Sequence, residues 1–254
     1  MTTTGQTKIN SLLQKFPPGA LYFGSWLNQN GISYSLQRHY RNSQWLTAID
    51  DGVMYRTGEK PTLFSALSCY NSQLGKKLHI GAVPALEMRG LAHYVPLGRQ
   101  TIVIYSPRGE WFPKWFSEYD WGVDILKKSS EYSEEGISTV NENNFEVAVS
   151  LPERAFLESL DLAPKYYNLT DLYQIMEMLN GLRPKLLQQL LEENSSVKVK
   201  RLFLYMAEKA GHSWFHDLNK DRIDLGKGKR SNVKNGVYDP KYQITLPRDL
   251  AYYE

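Results

Sequence analysis

The sequence has little of what holds disulfide-linked, metal-bound or membrane-embedded proteins together. It contains one cysteine, Cys69, in 254 residues, which excludes an internal disulfide and a zinc site built from thiolates. No run approaches the roughly 18 apolar residues of a membrane helix. The first six residues are polar and do not lead into an apolar segment, as a signal peptide would. We therefore expect a cytoplasmic protein without a membrane partner.

The chain does contain enough apolar material to fold. It is 42% hydrophobic and 13% aromatic, which argues against disorder, and its length favours two domains. The net charge of +3 conceals an asymmetry: residues 1–100 hold ten Lys or Arg against four Asp or Glu, whereas the remainder holds 20 against 23. A basic first part on a slightly acidic body is typical of a phosphate-facing module joined to a separate domain.

Hydrophobic spacing predicts a helical N-terminal region with one hairpin. The pattern favours helices over residues 9–16, 20–29, 34–43, 62–73 and 83–89, and a β-hairpin over 45–56 with an Asp-Gly turn. Ser33 precedes the third helix and can cap its exposed amides. A short turn, 29–33, separates the second and third helices. This order predicts a winged helix-turn-helix domain over residues 1–95.

Residues 96–254 have a different pattern, with strands first and helices after them. Strands are predicted at 101–105, 122–126, 136–140, 145–149 and 242–246, and helices at 153–159, 170–179, 184–193 and 197–210. Ser150 and Glu153 have the spacing of a capping box for the first of these helices. The prediction is an α+β chain whose larger second domain, residues 96–254, is a mixed α+β unit of strands followed by helices.

The third helix meets the requirements of a DNA-reading helix. Leu36 and Tyr40 form its inner stripe, and the remaining face carries hydrogen-bonding groups without any acid. Arginine can bridge guanine, glutamine can pair with adenine, and serine or tyrosine can hold a phosphate. The hairpin would be the wing, with Arg56 as its phosphate contact. The predicted DNA-binding residues are Ser33, Tyr34, Ser35, Gln37, Arg38, Arg41, Gln44 and Arg56.

Other segments allow two interpretations each. The basic segment with Lys227, Lys229 and Arg230 is either a solvated loop or a second contact to the DNA backbone. The aromatic residues between 111 and 121 form either a core layer or a partner surface. Arg154 is expected to be structural. Three potential metal ligands, Glu208, His212 and His216, are spaced for one helical face, but Gly211 interrupts that helix and we expect no metal site.

Six blocks along the chain resemble, in order, those of AbiEi-type antitoxins, the transcriptional regulators of bacterial type IV toxin-antitoxin systems. The blocks are Ser35-Leu-Gln-Arg-His-Tyr40, Trp45-Leu-Thr-Ala-Ile-Asp-Asp-Gly-Val-Met-Tyr-Arg56, His79-Ile-Gly-Ala-Val-Pro-Ala-Leu-Glu87, Val149-Ser-Leu-Pro-Glu-Arg-Ala-Phe-Leu-Glu158, Leu182-Arg-Pro-Lys-Leu-Leu187 and Val199-Lys-Arg-Leu-Phe203. Each block is short, and their order is the specific feature. The acidic turn Asp50-Asp51 departs from the neutral or basic wing tip that we would expect.

The resemblance implies an N-terminal winged helix that represses its own operon and a C-terminal domain needed to neutralise a toxin. It also implies a toxin similar to nucleotidyltransferases and a neutralisation that needs no stable complex. By this analogy the recognition helix maps onto residues 33–44 and the wing onto 45–56. We thus expect a non-enzymatic repressor and antitoxin that binds double-stranded operator DNA, with inverted repeats, and uses no cofactor. The alternatives are a protein-binding adaptor built on a winged helix, or a nucleic-acid-processing enzyme.

Overall fold

The computed structural model describes residues 8–92, 98–231 and 236–253. The predicted domain boundary between residues 95 and 96 lies outside the described residues. The N-terminal elements are, in chain order, α1 (Lys8–Lys15), β1 (Leu21–Phe23), α2 (Gly24–Gln29), α3 (Tyr34–Asn42), β2 (Leu46–Asp50), β3 (Val53–Arg56) and α4 (Leu63–Leu74). The three strands form one antiparallel sheet in the order β1-β3-β2.

The prediction of one continuous helix over residues 20–29 is wrong in its first part. Residues Leu21–Phe23 form β1, which pairs with β3 along the register Leu21↔Tyr55 to Phe23↔Val53. The side chain of Gln73 in α4 donates to the Leu21 carbonyl (2.6 Å) and accepts from the Phe23 amide (3.1 Å). Three consecutive apolar residues show neither the 3.6-residue period of a helix nor the two-residue period of a strand. Leu21–Phe23 therefore become a strand through their hydrogen bonds to β3 and Gln73, which are distant in sequence.

The helix-turn-helix and the hairpin form as predicted. α2 ends at Gln29 and α3 begins at Tyr34, with Ser33 as the N-cap. In the hairpin turn Gly52 has φ +72°, which a residue with a side chain rarely adopts, and its carbonyl accepts from the Gly24 amide (2.8 Å). A backbone hydrogen bond therefore joins the turn of the wing to the first residue of α2.

The second region contains a five-stranded mixed sheet. Its elements are β4 (His79–Ile80), α5 (Ala82–Glu87), β5 (Thr101–Ser106), α6 (Trp115–Glu118), β6 (Asp124–Ser129), β7 (Ile137–Glu142) and β8 (Phe145–Ser150). The sheet order is β6-β5-β4-β8-β7. The central strand β4 thus comes from the N-terminal side of the predicted boundary, and it pairs antiparallel with β5 and parallel with β8.

Helices follow these strands, as the sequence predicted. They are α7 (Pro152–Leu162), α8 (Leu169–Met178), α9 (Pro184–Glu193), α10 (Val197–Ala210) and α11 (Arg248–Ala251), and the short strands β9 (Arg230–Ser231), β10 (Val237–Asp239) and β11 (Ile244–Leu246) form a small sheet. α7 is buried along most of its length and packs against α5, α9 and α10. The fold is therefore mixed α+β, with the helix-turn-helix first and the larger sheet-and-helix region after it.

The capping box predicted at the start of α7 is wrong. Leu151 is the N-cap and makes no side-chain cap hydrogen bond. The Ser150 hydroxyl instead donates to Glu158 (2.8 Å), and the Glu153 carboxylate accepts from Arg183. Both residues are nearly inaccessible to solvent, at 0% and 1% exposed. The hydrogen bonds of Ser150 to Glu158 and of Arg183 to Glu153 involve charged groups, so they are stronger than the hydrogen bonds of a capping box would be.

The predicted aromatic segment divides between core and surface. Trp115 and Phe116 are buried, whereas Trp111 is 90% exposed. Cys69 is buried, as expected for a small apolar residue. None of the described helices combines the length and apolar character that crossing a bilayer needs.

Candidate DNA-binding face

α3 is held in place by its cap and by one buried face. The Ser33 hydroxyl accepts from the Leu36 amide (3.4 Å) and contacts the Ser35 hydroxyl (2.9 Å). Tyr40 is 7% exposed and packs in the core, while Leu36 is partly buried against it. The predicted cap and inner stripe are confirmed, and they leave the opposite side of α3 facing solvent.

The solvent-facing side of α3 carries hydrogen-bonding groups and no acid. Its exposed residues are Tyr34, Ser35, Arg38, His39 and Asn42. Because successive residues in a helix are about 100° apart, the pairs Ser35 with His39 and Arg38 with Asn42 each occupy neighbouring turns of this face. We call these five residues the exposed face of α3. It offers donors and acceptors to base edges and to phosphates.

The prediction that Gln37 points outward is wrong. Its side chain is 3% exposed, and its amide nitrogen donates to the carbonyl oxygens of Gly24 (2.9 Å) and Ile32 (2.8 Å). These two carbonyls belong to the start of α2 and to the turn before α3. Gln37 therefore joins the two helices of the motif, and its amide is not available to pair with adenine.

His39 and Asn42 belong to the exposed face, although the sequence analysis did not include them. An inner stripe of Leu36 and Tyr40 alone centres the outer face on Arg38, with Tyr34 and Asn42 about 40° to either side. Adding the buried Gln37 rotates the inner face by about 30°, so that the outer face centres near Asn42. A polar residue has no apolar signal that would have shown this rotation.

Arg41 lies at the edge of the exposed face and is only partly exposed. Its Nε atom is buried and has no hydrogen-bond partner. The side chain lines a cavity together with Tyr34 and Asp51. The structure therefore places Arg41 beside, and not among, the outward-facing residues of the helix.

Gln44 and Arg56 lie near the end of α3 and at the base of the wing. Gln44 is exposed, with φ +58°, immediately after the helix. Arg56 is exposed, pairs across the hairpin with Leu46 and forms an ion pair with Glu59 (3.3 Å). The turn at the other end of the hairpin carries the exposed acids Asp50 and Asp51. Positive charge on the wing is therefore located at its base.

The basic loop with Lys227, Lys229 and Arg230 is exposed, but its backbone is anchored. The buried guanidinium of Arg201 donates to the carbonyl oxygens of Leu225 (2.6 and 2.9 Å), Gly228 (2.7 Å) and Gln243 (2.8 Å). The Lys229 ammonium lies 4.9 Å from the ring centre of Tyr238. The loop is therefore an exposed basic surface on a fixed backbone. It is compatible with both interpretations of the sequence, a solvated loop or a second contact to the DNA backbone.

The other titratable groups that the sequence singled out have structural partners. His212 Nε2 lies 2.6 Å from the Met176 carbonyl, and Glu208 contacts Lys241 and Tyr242. Within residues 8–92, 98–231 and 236–253, no group of three or more His, Cys, Asp or Glu could hold a metal ion. The described residues therefore provide no metal centre.

Arg154 is at the centre of a buried polar network. It is 1% exposed and donates to the Glu158 carboxylate (2.9 Å), the Ser130 hydroxyl (2.7 Å) and the carbonyl oxygens of Ser133 and Glu135 (both 2.7 Å). Burial alone raises the pKa of Glu158, but the contacts from His79 and Arg154 outweigh it and lower that pKa overall. Arg154 therefore connects α7 to the segment before β7, as a structural residue would.

The N-terminal elements define the class of protein. Helix, strand, helix, turn, helix and hairpin follow one another in α1 to β3, with β1 completing a three-stranded sheet beside the hairpin. This is the architecture of a winged helix-turn-helix, and α3 occupies the position of its recognition helix.

Comparisons with known proteins identify the family. The model described as "Transcriptional regulator, AbiEi antitoxin N-terminal domain" matches residues 5–97, and the one described as "Transcriptional regulator, AbiEi antitoxin, Type IV TA system" matches residues 99–247. The chain therefore belongs to the AbiEi antitoxins, transcriptional regulators of type IV toxin-antitoxin systems. The family resemblance of the sequence is confirmed.

A solved structure has a similar fold. The crystal structure of the RV2827C protein from Mycobacterium tuberculosis superimposes with a TM-score of 0.64 at 15% identity, covering 93% of this chain and 88% of that chain. At this identity the similarity concerns the fold alone. No curated protein matches the sequence significantly.

Proposed function

We propose that this protein is a sequence-specific repressor of its own operon and the antitoxin of a nucleotidyltransferase-like toxin encoded with it. The observation that carries the proposal is the exposed, acid-free face of a correctly capped α3 within a winged helix. Membership of a family of transcriptional regulators and antitoxins supports it. Its ligand would be double-stranded operator DNA.

The residues of the exposed face would have different tasks. Arg38 lies in the middle of α3, where its guanidinium can bridge O6 and N7 of a guanine, and Asn42, one turn later, can pair with an adenine. Tyr34 and Ser35 in the first turn suit phosphates, as do Arg56 at the wing base and the loop of Lys227, Lys229 and Arg230. Phosphate contacts set the register, and the base contacts set the sequence.

Fluorescence anisotropy with DNA from upstream of the gene, against a scrambled duplex of equal length, tests this proposal. We expect selective binding with a dissociation constant of about 10⁻⁸ M or tighter near physiological salt. Arg38→Ala should weaken operator binding by about 1–3 kcal/mol and relax specificity at one base pair. Arg222→Ala, which removes an exposed arginine elsewhere, is the matched control and should change neither.

Equal and weak binding to both duplexes would contradict the repressor proposal. A loss with Arg38→Ala that is uniform across sequences, together with a shallower salt dependence, would reassign this side chain to phosphate. By analogy with autoregulation in this family, we propose that two copies of the protein bind inverted repeats. Footprinting on the operator would show whether both repeats are protected.

We further propose that the protein neutralises its toxin without forming a stable complex and without catalysis. Co-expression should restore growth in cells that make the toxin, while the two proteins elute separately in size-exclusion chromatography at micromolar concentration. Co-elution would contradict the first part. Metal-dependent turnover of DNA, RNA or nucleotides by the purified protein would contradict the second.

A further inference from the structure

A cavity of about 580 Å³ lies beside the recognition helix, where the winged helix meets the segment after β5. Its lining includes Tyr34 and Arg41 of α3, Asp51 of the wing turn, and Pro113 and Trp115 of the segment after β5. We call it the helix-flanking cavity. Its volume falls within the range of about 300–1,000 Å³ that small-molecule sites occupy.

The floor of the helix-flanking cavity is aromatic. Phe23, Tyr70 and Trp115 all line it, and their ring centres lie between 5.6 and 6.0 Å apart. Each of the three is less than 10% exposed, and Met54 packs beside them. Such a surface binds the face or edge of a flat apolar ring.

One polar group at this cavity lacks a partner. The Arg41 Nε atom is buried without an acceptor, and Arg41 takes part in none of the ion pairs in the part of the chain that the structure describes. A guanidinium matches a carboxylate with two parallel hydrogen bonds, which the other two nitrogens of Arg41 can donate. The Asp51 carboxylate, which also lines the cavity, repels a doubly charged phosphate more strongly than a singly charged carboxylate.

We propose that the helix-flanking cavity binds a small aromatic carboxylate. Its ring would rest on Phe23, Tyr70 and Trp115, and its carboxylate would pair with Arg41. A second part of the inference rests on the proposed operator binding. A bound ligand should weaken the binding of operator DNA, because its carboxylate neutralises Arg41 at the edge of the exposed face of α3. Linkage then requires operator DNA to weaken ligand binding by the same factor.

Isothermal titration calorimetry of the full chain tests the site. Benzoate and indole-3-acetate are the probes. The ligand controls are benzamide, which is neutral, and tryptamine, which is cationic. Inorganic phosphate tests whether the cavity instead binds a phosphate of the DNA backbone. We expect both carboxylates to bind at least tenfold more tightly than their counterparts. Arg41→Met should weaken carboxylate binding at least tenfold and Arg222→Met should leave it unchanged, with thermal melting confirming that both variants fold.

Each outcome decides one part of the inference. Heat from neither carboxylate at 10 mM, or equal affinity for carboxylates and amides, overturns the site. Phosphate binding that competes with benzoate also overturns it and assigns the cavity to the DNA backbone. In anisotropy, saturating carboxylate should weaken operator binding about tenfold, and an unchanged affinity overturns the antagonism. Carboxylate binding by a protein that binds no operator would instead refute the proposed function and leave the site standing.

Discussion

Replacing Gln37 by alanine tests whether this side chain supports the recognition helix from inside or reads DNA from outside. In the structure its amide nitrogen makes hydrogen bonds of 2.9 Å to Gly24 and 2.8 Å to Ile32, and the side chain is 3% exposed. The substitution removes both bonds at once. It also leaves a small void at the junction of α2 and α3.

The expected effect is large because both hydrogen bonds are buried. A buried hydrogen bond is worth about 1 kcal/mol, and leaving its partner unsatisfied adds to the loss. With the void included, Gln37→Ala should lower the free energy of unfolding by about 2–4 kcal/mol. His39→Ala, at an exposed position of the same helix, should change it by less than about 0.5 kcal/mol.

Urea unfolding followed by tryptophan fluorescence measures this difference, with the slope of the transition showing whether the variants unfold alike. Operator binding, measured where both proteins are folded, should weaken for Gln37→Ala by a similar factor for every base-pair substitution. Unchanged stability combined with relaxed specificity at one base pair would refute the argument. It would mean that Gln37 reads a base.

Three further predictions concern the core. Gly81→Ala should prevent folding or lower the free energy of unfolding by about 3 kcal/mol or more. The reason is that the added methyl group would lie 2.3 Å from Glu158 Oε2. Gly181→Ala, whose methyl group would meet open space, is the control in the same urea titration. Burial raises the pKa of the Cys69 thiol to about 11, so an aromatic disulfide reagent at about pH 8 should modify it at least about a hundredfold more slowly in the folded than in the urea-unfolded protein. Burial alone raises the pKa of Glu153, but hydrogen bonds from Arg183 outweigh it and lower that pKa overall. A carboxyl with a lowered folded-state pKa stabilises the fold above its unfolded pKa and loses that effect as pH falls. The free energy of unfolding should thus decrease below about pH 4, less so in Glu153→Gln.

Each of these predictions has an outcome that contradicts it. A well-folded Gly81→Ala protein with unchanged stability would show that Glu158 of α7 does not approach Gly81 this closely. Equal rates of thiol modification in the folded and unfolded states would place Cys69 at the surface. An identical decline in stability with acid for wild type and Glu153→Gln would assign the pH dependence to other carboxyls.

Local features of the sequence were sufficient for the helix-turn-helix and for the order of most elements. The cap at Ser33, the Asp-Gly turn of the wing and the stripe of Leu36 and Tyr40 act over a few residues, so spacing and turn chemistry predict them. The turn between β7 and β8 is a further local feature, because Asn143 and Asn144 adopt the positive φ that asparagine tolerates. By the same reasoning, the sequence alone supported a basic, acid-free recognition helix.

Tertiary structure decided what depends on partners distant in sequence. Leu21–Phe23 became a strand because β3 and Gln73 offer it hydrogen bonds, and β4 became the centre of the second sheet because β5 and β8 lie on either side of it. Gln37 turned inward because its amide can donate to the Gly24 and Ile32 carbonyls once the helices pack. A side chain with both polar and apolar parts can face either way, and only the groups that fold around it determine which direction has the lower free energy.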